Sequence, residues 1–191
     1  MKVEDIFGDL PTLETDRLIL RKIKKHDIED MYLYGSNEEV AKYVTWDAHK
    51  SLSDTEAFMN YALAKYKNKD VAPWAIQYKE NGKMIGTIDF IWWKPKHYSA
   101  EIGYVISQDY WGMGICTEAA KEMIKFGFEK MNLVRIQAKC MLENIGSEKV
   151  MEKIGMVYEG TLRKEMVIKQ QHQDLKVYSI LLEEFEDRRQ P

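Results

Sequence analysis

The sequence is poor in cysteine: among 191 residues only Cys116 and Cys140 occur, and they form no C-x-x-C pair. A disulfide framework is excluded, and the pattern suits a reducing compartment. His26, His49, His97 and His172 stand far apart, without the spacing of metal ligands, so no metal site is expected. No run approaches the ~18 apolar residues of a membrane span, and the N-terminus carries no apolar leader core. A cytoplasmic protein without a membrane partner is the expectation. Charge of one sign is also lacking, with 28 Lys and Arg against 31 Asp and Glu and a net charge of −3. That balance lacks the electrostatic footprint of a nucleic-acid binder. The small basic cluster of Arg21, Lys22, Lys24 and Lys25 reads as a solvated strand end. Internal repeats, low-complexity tracts and linkers are absent too.

What is present is a chain that is 45% hydrophobic and 12% aromatic, enough to bury a substantial core. One domain over residues 1–191 is expected, with 1–12 a loosely ordered lead-in and the polar stretch running to about residue 16. Arg17 to Ile23 alternates as a strand. His26-Asp27 caps a short helix through Tyr34, and Ser36-Asn37 starts another to Tyr43. Ser53-Asp54-Thr55-Glu56 opens a longer helix, with Phe58, Tyr61, Ala62 and Tyr66 at helical spacing. Strands follow over Trp74–Tyr78, Met84–Trp93 and Ser99–Ile106, the first two joined by an Asn81-Gly82 hairpin and the last two by a turn at Lys94-Pro95-Lys96. A helix buries Ala119, Ala120, Met123, Ile124 and Phe128. Val134–Leu142 is another strand, with Val134, Ile136, Ala138, Cys140 and Leu142 on one face. Asn144 starts a helix that closes at Gly155. Three short strands, 156–161, 166–169 and 175–182, complete a largely antiparallel sheet. The order defines an α+β fold.

The most informative segment joins the third of these central strands to its helix: Tyr110-Trp111-Gly112-Met113-Gly114-Ile115-Cys116-Thr117-Glu118-Ala119. Two glycines one residue apart precede a helix N-terminus. Such a loop converges several backbone N–H groups where the helix dipole adds positive potential, a site for a pyrophosphate or similar anion. A Cβ would hold the anion away from the amides and oppose positive φ. Two glycines alone equally describe an ordinary strand-to-helix turn.

The flanking residues carry a resemblance. Leu13-Glu14-Thr15-Asp16-Arg17-Leu18, Gly86-Thr87-Ile88, Ala100-Glu101-Ile102-Gly103-Tyr104-Val105-Ile106, the glycine loop, Glu143-Asn144, Ser147, Lys153-Ile154-Gly155-Met156, Glu159-Gly160 and Tyr178-Ser179 follow the order and spacing of the GNAT superfamily of N-acyltransferases. The chain most resembles its ribosomal-protein alanine acetyltransferase branch, over roughly residues 13–185. Trp111 stands where the superfamily loop often has Gln or Arg, and Cys116 where it has a final Gly or Ala. The resemblance implies a mixed, mostly antiparallel sheet flanked by helices, splayed between its fourth and fifth strands, with acetyl-CoA as donor.

It also implies roles. Trp111, Gly112, Met113, Gly114, Ile115, Cys116 and Thr117 form the pyrophosphate loop. Tyr104, Val105 and Ile106 pair with the pantetheine arm like an added strand, and a backbone N–H near Val105 faces the thioester carbonyl. Asn144 meets the cofactor arm or is simply a helix N-cap. Ser147 protonates the departing thiolate or is a solvated first-turn serine. Glu101 and Glu165 are the candidate bases for the amine, with an exposed strand carboxylate the plain reading of Glu165. Trp46, Trp92 and Trp93 line an acceptor pocket or are packing residues, and Asp89 meets a cationic acceptor or faces solvent. The expected activity is N-acetyl transfer to a primary amine, a protein or peptide N-terminus. A small amine such as a polyamine or aminoglycoside, and a non-catalytic acyl-CoA-binding module, are the alternatives. The expected assembly is a monomer or homodimer.

Overall fold

In the computed structural model, residues 1–188 are described. An eight-stranded sheet runs in the order β1-β2-β3-β4-β5-β6-β8-β7. Its strands are β1 (Leu13–Glu14), β2 (Leu18–Arg21), β3 (Trp74–Tyr78), β4 (Met84–Lys94), β5 (Ser99–Ile106), β6 (Arg135–Met141), β7 (Val157–Ile168) and β8 (Gln171–Leu181). All neighbours pair antiparallel except β5 and β6. The helices are α1 (Val3–Phe7), α2 (Ile28–Gly35), α3 (Glu38–Ala41), α4 (Leu52–Lys67), α5 (Ile115–Met131), α6 (Ile145–Lys153) and α7 (Leu182–Asp187).

Strand alternation sends successive side chains to opposite faces, and each face has its own apolar cluster. Trp74 and Ile76 of β3, Ile88 and Phe90 of β4, and Ile102 of β5 pack with α5 and α6 through Ala119, Ala120, Met123, Ile124 and Met151. Ala75 and Met84 point the other way, onto Met31 and Tyr34 of α2, Val40 of α3, and Met59 and Ala62 of α4. The expected buried stripe of α5 is correct, and Phe126, Gly127 and Met131 extend it.

Several boundaries differ from the sequence reading. The lead-in is not merely polar: it forms α1 and β1, buries Phe7 and Leu10, and its Pro11 carbonyl accepts from Trp74 Nε1 at 2.8 Å. Helix α4 starts at Leu52 because Ser51 is the N-cap, its backbone N–H donating to Asp54 Oδ2 at 3.0 Å. Its buried stripe is Thr55, Met59 and Ala62, while Tyr61 stacks on Phe58 outside it. Val134 lies before β6 and is exposed. The three short C-terminal strands are one long hairpin. Lys164, at φ +50°, marks a bulge between Leu162 and Met166 that reads in sequence as a break.

One irregularity positions everything that follows. Strands β5 and β6 pair only at Ser99↔Arg135, Ala100↔Ile136 and Glu101↔Gln137. From Ile102 to Ile106, β5 pairs with β4 alone among the described residues. The sheet therefore splits open there, leaving backbone groups of β5 without a strand partner.

Candidate active site

The glycine loop sits at the open end of this split. Gly112 has φ +76° and Gly114, the N-cap of α5, has φ +75°. Both lie in the left-handed region that favours glycine. Among the described residues the N–H groups of Met113 through Thr117 find no backbone acceptor, and the first bond of the helix ladder outside its own span runs from Glu118 N to Gly114 O at 3.0 Å. These are the orphan donors of a helix start. A Cβ at Gly112 would meet nothing within 4 Å, and one at Gly114 only Arg17 Nη2 at 3.7 Å. The space above the loop is therefore open, and donors without partners line it. Trp111 anchors the approach, its Nε1 donating to the Ile106 carbonyl at 3.1 Å. Cys116 is a poor nucleophile, because burial pushes its thiol up to about 12.

Tyr104, on β5, reaches toward α6. Its hydroxyl lies 3.0 Å from Ser147 Oγ and 3.2 Å from the Ser147 carbonyl, to which it donates. Burial raises the Tyr104 phenol well above its ordinary value, so it is neutral in the physiological range. Asn144 is the N-cap of α6: its Oδ1 accepts from Ser147 N at 3.1 Å. The amide Nδ2 makes no bond among the described residues, so capping leaves Asn144 a donor for a ligand.

The carboxylates lie on the opposite face of β5, together with Gly103 and Val105. Asp89 pairs with Gly103, and its Oδ1 is 3.4 Å from where a Gly103 Cβ would stand. Asp89 keeps part of its surface accessible while protein packs densely around it, and burial alone pushes its carboxyl up to about 7. Among the described residues it has no hydrogen bond or ion pair. Glu101 is buried and accepts from Gln137 Nε2 at 2.7 Å. Lys139 Nζ stands 3.7 Å from Glu101 and 2.8 Å from Glu165. One lysine thus couples both expected bases, a link that the sequence does not announce, since Lys139 reads only as an outward residue of an alternating strand.

Trp92 pairs with Glu101 beyond a bulge at Ile91, and Lys94 Nζ lies 4.5 Å from its ring centroid. Trp46 stacks beside His49 and packs on the same cluster as Val105. Trp92, Trp46 and Asp89 therefore share the carboxylate face. Trp93 does not: it is buried against Phe7 on the α5 side, so its place in an acceptor pocket is corrected to core. Among the described residues no cluster of metal ligands occurs, and no helix is long and apolar enough to cross a membrane.

Unpaired N–H groups at a helix start thus stand beside a strand edge opened by a splay. Residues 17–157 match the family model described as "Acetyltransferase (GNAT) domain". The chain is 35% identical over 171 residues to the uncharacterized N-acetyltransferase YoaA of Bacillus subtilis, covering 90% of this chain and 97% of YoaA. It is 26% identical to the putative ribosomal N-acetyltransferase YdaF of the same organism, covering 90% of this chain and 94% of YdaF. The crystal structure of a GNAT-family acetyltransferase from Bacillus anthracis superposes with a TM-score of 0.81 at 32% identity, covering 91% of this chain and 99% of that one. The chain belongs to the GNAT acetyltransferase family. It is an N-acetyltransferase with acetyl-CoA as co-substrate.

Proposed function

We propose that the protein transfers an acetyl group from acetyl-CoA to the α-amine at the N-terminus of a protein or peptide. The observation that carries the cofactor half is the open cradle of unpaired N–H groups beside the unpaired edge of β5. Acetyl-CoA supplies the activated thioester. The N–H groups of Met113 through Thr117 hold its pyrophosphate, and the free backbone groups of β5 between Ile102 and Ile106 hold its amide-bearing arm. A backbone N–H near Val105 donates to the thioester oxygen as charge grows there, a contribution typically worth ~10²–10³ in rate. Asn144 Nδ2 adds a donor to the arm.

Ser147 Oγ donates a hydrogen bond to the departing sulfur, the thiolate takes its proton from solvent as CoA leaves, and the Tyr104 hydroxyl holds Ser147 in place. On the other face the acceptor amine must lose a proton as its nitrogen bonds the acetyl carbon. We assign that proton to Asp89. It is the carboxylate of this face without a partner, whereas Glu101 and Glu165 share Lys139. A base works best with a pKa near the working pH, and burial brings Asp89 to about 7. An α-amine, with a pKa near ~7.7–8.0, is within reach of such a base, whereas a lysine amine at ~10.4 is not. That match supports an N-terminal acceptor, and the relative named a putative ribosomal N-acetyltransferase supports a protein one. Trp46 and Trp92 wall the acceptor side.

Release of free CoA with peptides, polyamines and aminoglycosides side by side tests this. Turnover highest with an unblocked peptide N-terminus is expected. Turnover confined to small amines moves the acceptor to that class, and consumption of acetyl-CoA with none of the amines refutes the transfer itself.

A further inference from the structure

The N-terminal motif around Thr15 and Arg17 has no part in the chemistry above, yet it touches the glycine loop directly. Arg17 Nη1 donates to the Met113 carbonyl at 3.0 Å. Its Nε donates to Glu118 Oε2 at 2.7 Å, and Nη2 lies 2.7 Å from the same oxygen. The other Glu118 oxygen accepts from Arg17 N at 3.0 Å and from Thr15 Oγ1 at 2.6 Å. Thr15 Oγ1 in turn accepts from Leu18 N at 3.0 Å. Burial would raise the Glu118 carboxyl, but the bonds from Thr15 and Arg17 outweigh it and hold the group below the usual carboxylate range. The carboxylate is thus fixed to α5 by its backbone and to the start of β2 by four donors.

We propose that Arg17, locked by Glu118 and Thr15, is the positioning residue that sets the glycine loop in its anion-binding shape before acetyl-CoA arrives. The inference rests on the reading of that loop as the pyrophosphate cradle. Its logic is the planarity of a single peptide. Met113 O and Gly114 N–H belong to one trans unit and point in opposite directions. Holding the carbonyl on Arg17 therefore turns the Gly114 N–H away from Arg17. Without that hold, this peptide, with Met113 on one side and the left-handed Gly114 on the other, rotates more easily than it would with a Cβ on both sides. Rotation would present a carbonyl oxygen where the anion needs a donor. Ordering such a loop on binding costs affinity that a preset loop retains. Because Arg17 lies some hundred residues from the loop in sequence, the device ties the edge of the sheet to the start of α5.

The test compares Arg17→Ala, Arg17→Lys and Thr15→Val with the wild type by calorimetry with acetyl-CoA, by steady-state kinetics, and by hydrogen exchange of the ligand-free loop. Arg17→Ala is expected to raise both Kd and KM for acetyl-CoA by roughly 10–100-fold, the usual scale for losing a charged hydrogen bond. Its kcat at saturating acetyl-CoA should stay within about threefold, and exchange at the hydrogen-bonded amides that bracket the loop, Trp111 and Glu118, should quicken. Arg17→Lys keeps the charge but not the forked geometry, so it should recover little of the affinity. Thr15→Val should show the same pattern, weaker, while removing no charge, and it stands in if Arg17→Ala unfolds. Wild-type affinity and loop exchange in Arg17→Ala overturn the proposal, and full recovery in Arg17→Lys reduces Arg17 to a point charge and overturns it equally. A wild-type protein that binds no acetyl-CoA refutes the cradle, and the positioning role with it.

Discussion

A single unpartnered carboxyl has two measurable consequences. The Asp89 carboxyl is raised by burial to about 7. Below the unfolded value near 4 both states are protonated and nothing changes. As pH rises through the folded value, the unfolded chain has already released its proton and the folded one must release it at a cost. Stability associated with Asp89 is therefore present in acid and lost between about pH 4 and 7. Asp89→Asn should be more stable than the wild type above pH 7, by something of order 1 kcal/mol after allowing for its partial exposure, and equal to it at pH 4; thermal melts across that range check the sign. The same variant should lose about 10²-fold in kcat near pH 7 and recover as the amine deprotonates unaided. An unchanged pH–rate profile in Asp89→Asn, with loss in Glu101→Gln, would hand the proton to Glu101. Ser147→Ala should lower kcat at the modest end of the ~10²–10⁴ span of acid–base groups and leave acetyl-CoA affinity intact; burst and steady-state rates of CoA release separate the two. Of these residues, Ser147 and Asn144 were singled out by their place in a motif, and the N-cap reading of Asn144 is the geometry found. The isolation of Asp89 was not, because being unpartnered is a property of everything packed around a residue. Nor was the tie between Glu101 and Glu165, which depends on a third side chain reaching between strands.

At the level of elements, the sequence announced what local chemistry decides. Strands β3 and β5 begin and end close to where the turn residues and the glycine loop require, and the stripe of α5 follows its spacing. What escaped depended on distant partners: α1 gains its place from Phe7 packing on Trp74 and Trp93, and β7 stays one strand across its bulge because β8 continues beside it. The loop before α5 belongs to the first group, since two residues with φ near +75° are written there as glycine. Gly114→Val should accordingly cost acetyl-CoA more than tenfold in affinity, a side chain being forced both into the left-handed region and toward the open cradle. Calorimetry together with a melting curve reads this, the melt being expected to move far less than the affinity. A folded Gly114→Val with normal affinity would place the anion elsewhere.

Across the whole molecule, the two apolar clusters do different work. The α5 side holds the aromatic mass: Trp74 is fully buried and meets Phe7, Phe90 and Phe126 edge-on. Trp74→Ala should cost about 3–5 kcal/mol of unfolding free energy by chemical denaturation, whatever the ligand present. The other side carries the carboxylate face, and the split between β5 and β6 joins the two. That split leaves the sheet one strand short along Ile102–Ile106. Acetyl-CoA at 100 times its Kd should add about 2.7 kcal/mol to stability by mass action, seen as a rise in Tm and in resistance to proteolysis. With acetyl-CoA paired to β5 as proposed, the sheet is finished by the enzyme's own substrate; the protein is then easier to unfold and to degrade when that substrate runs low, so its abundance in a cell would follow the supply of the acetyl groups it spends.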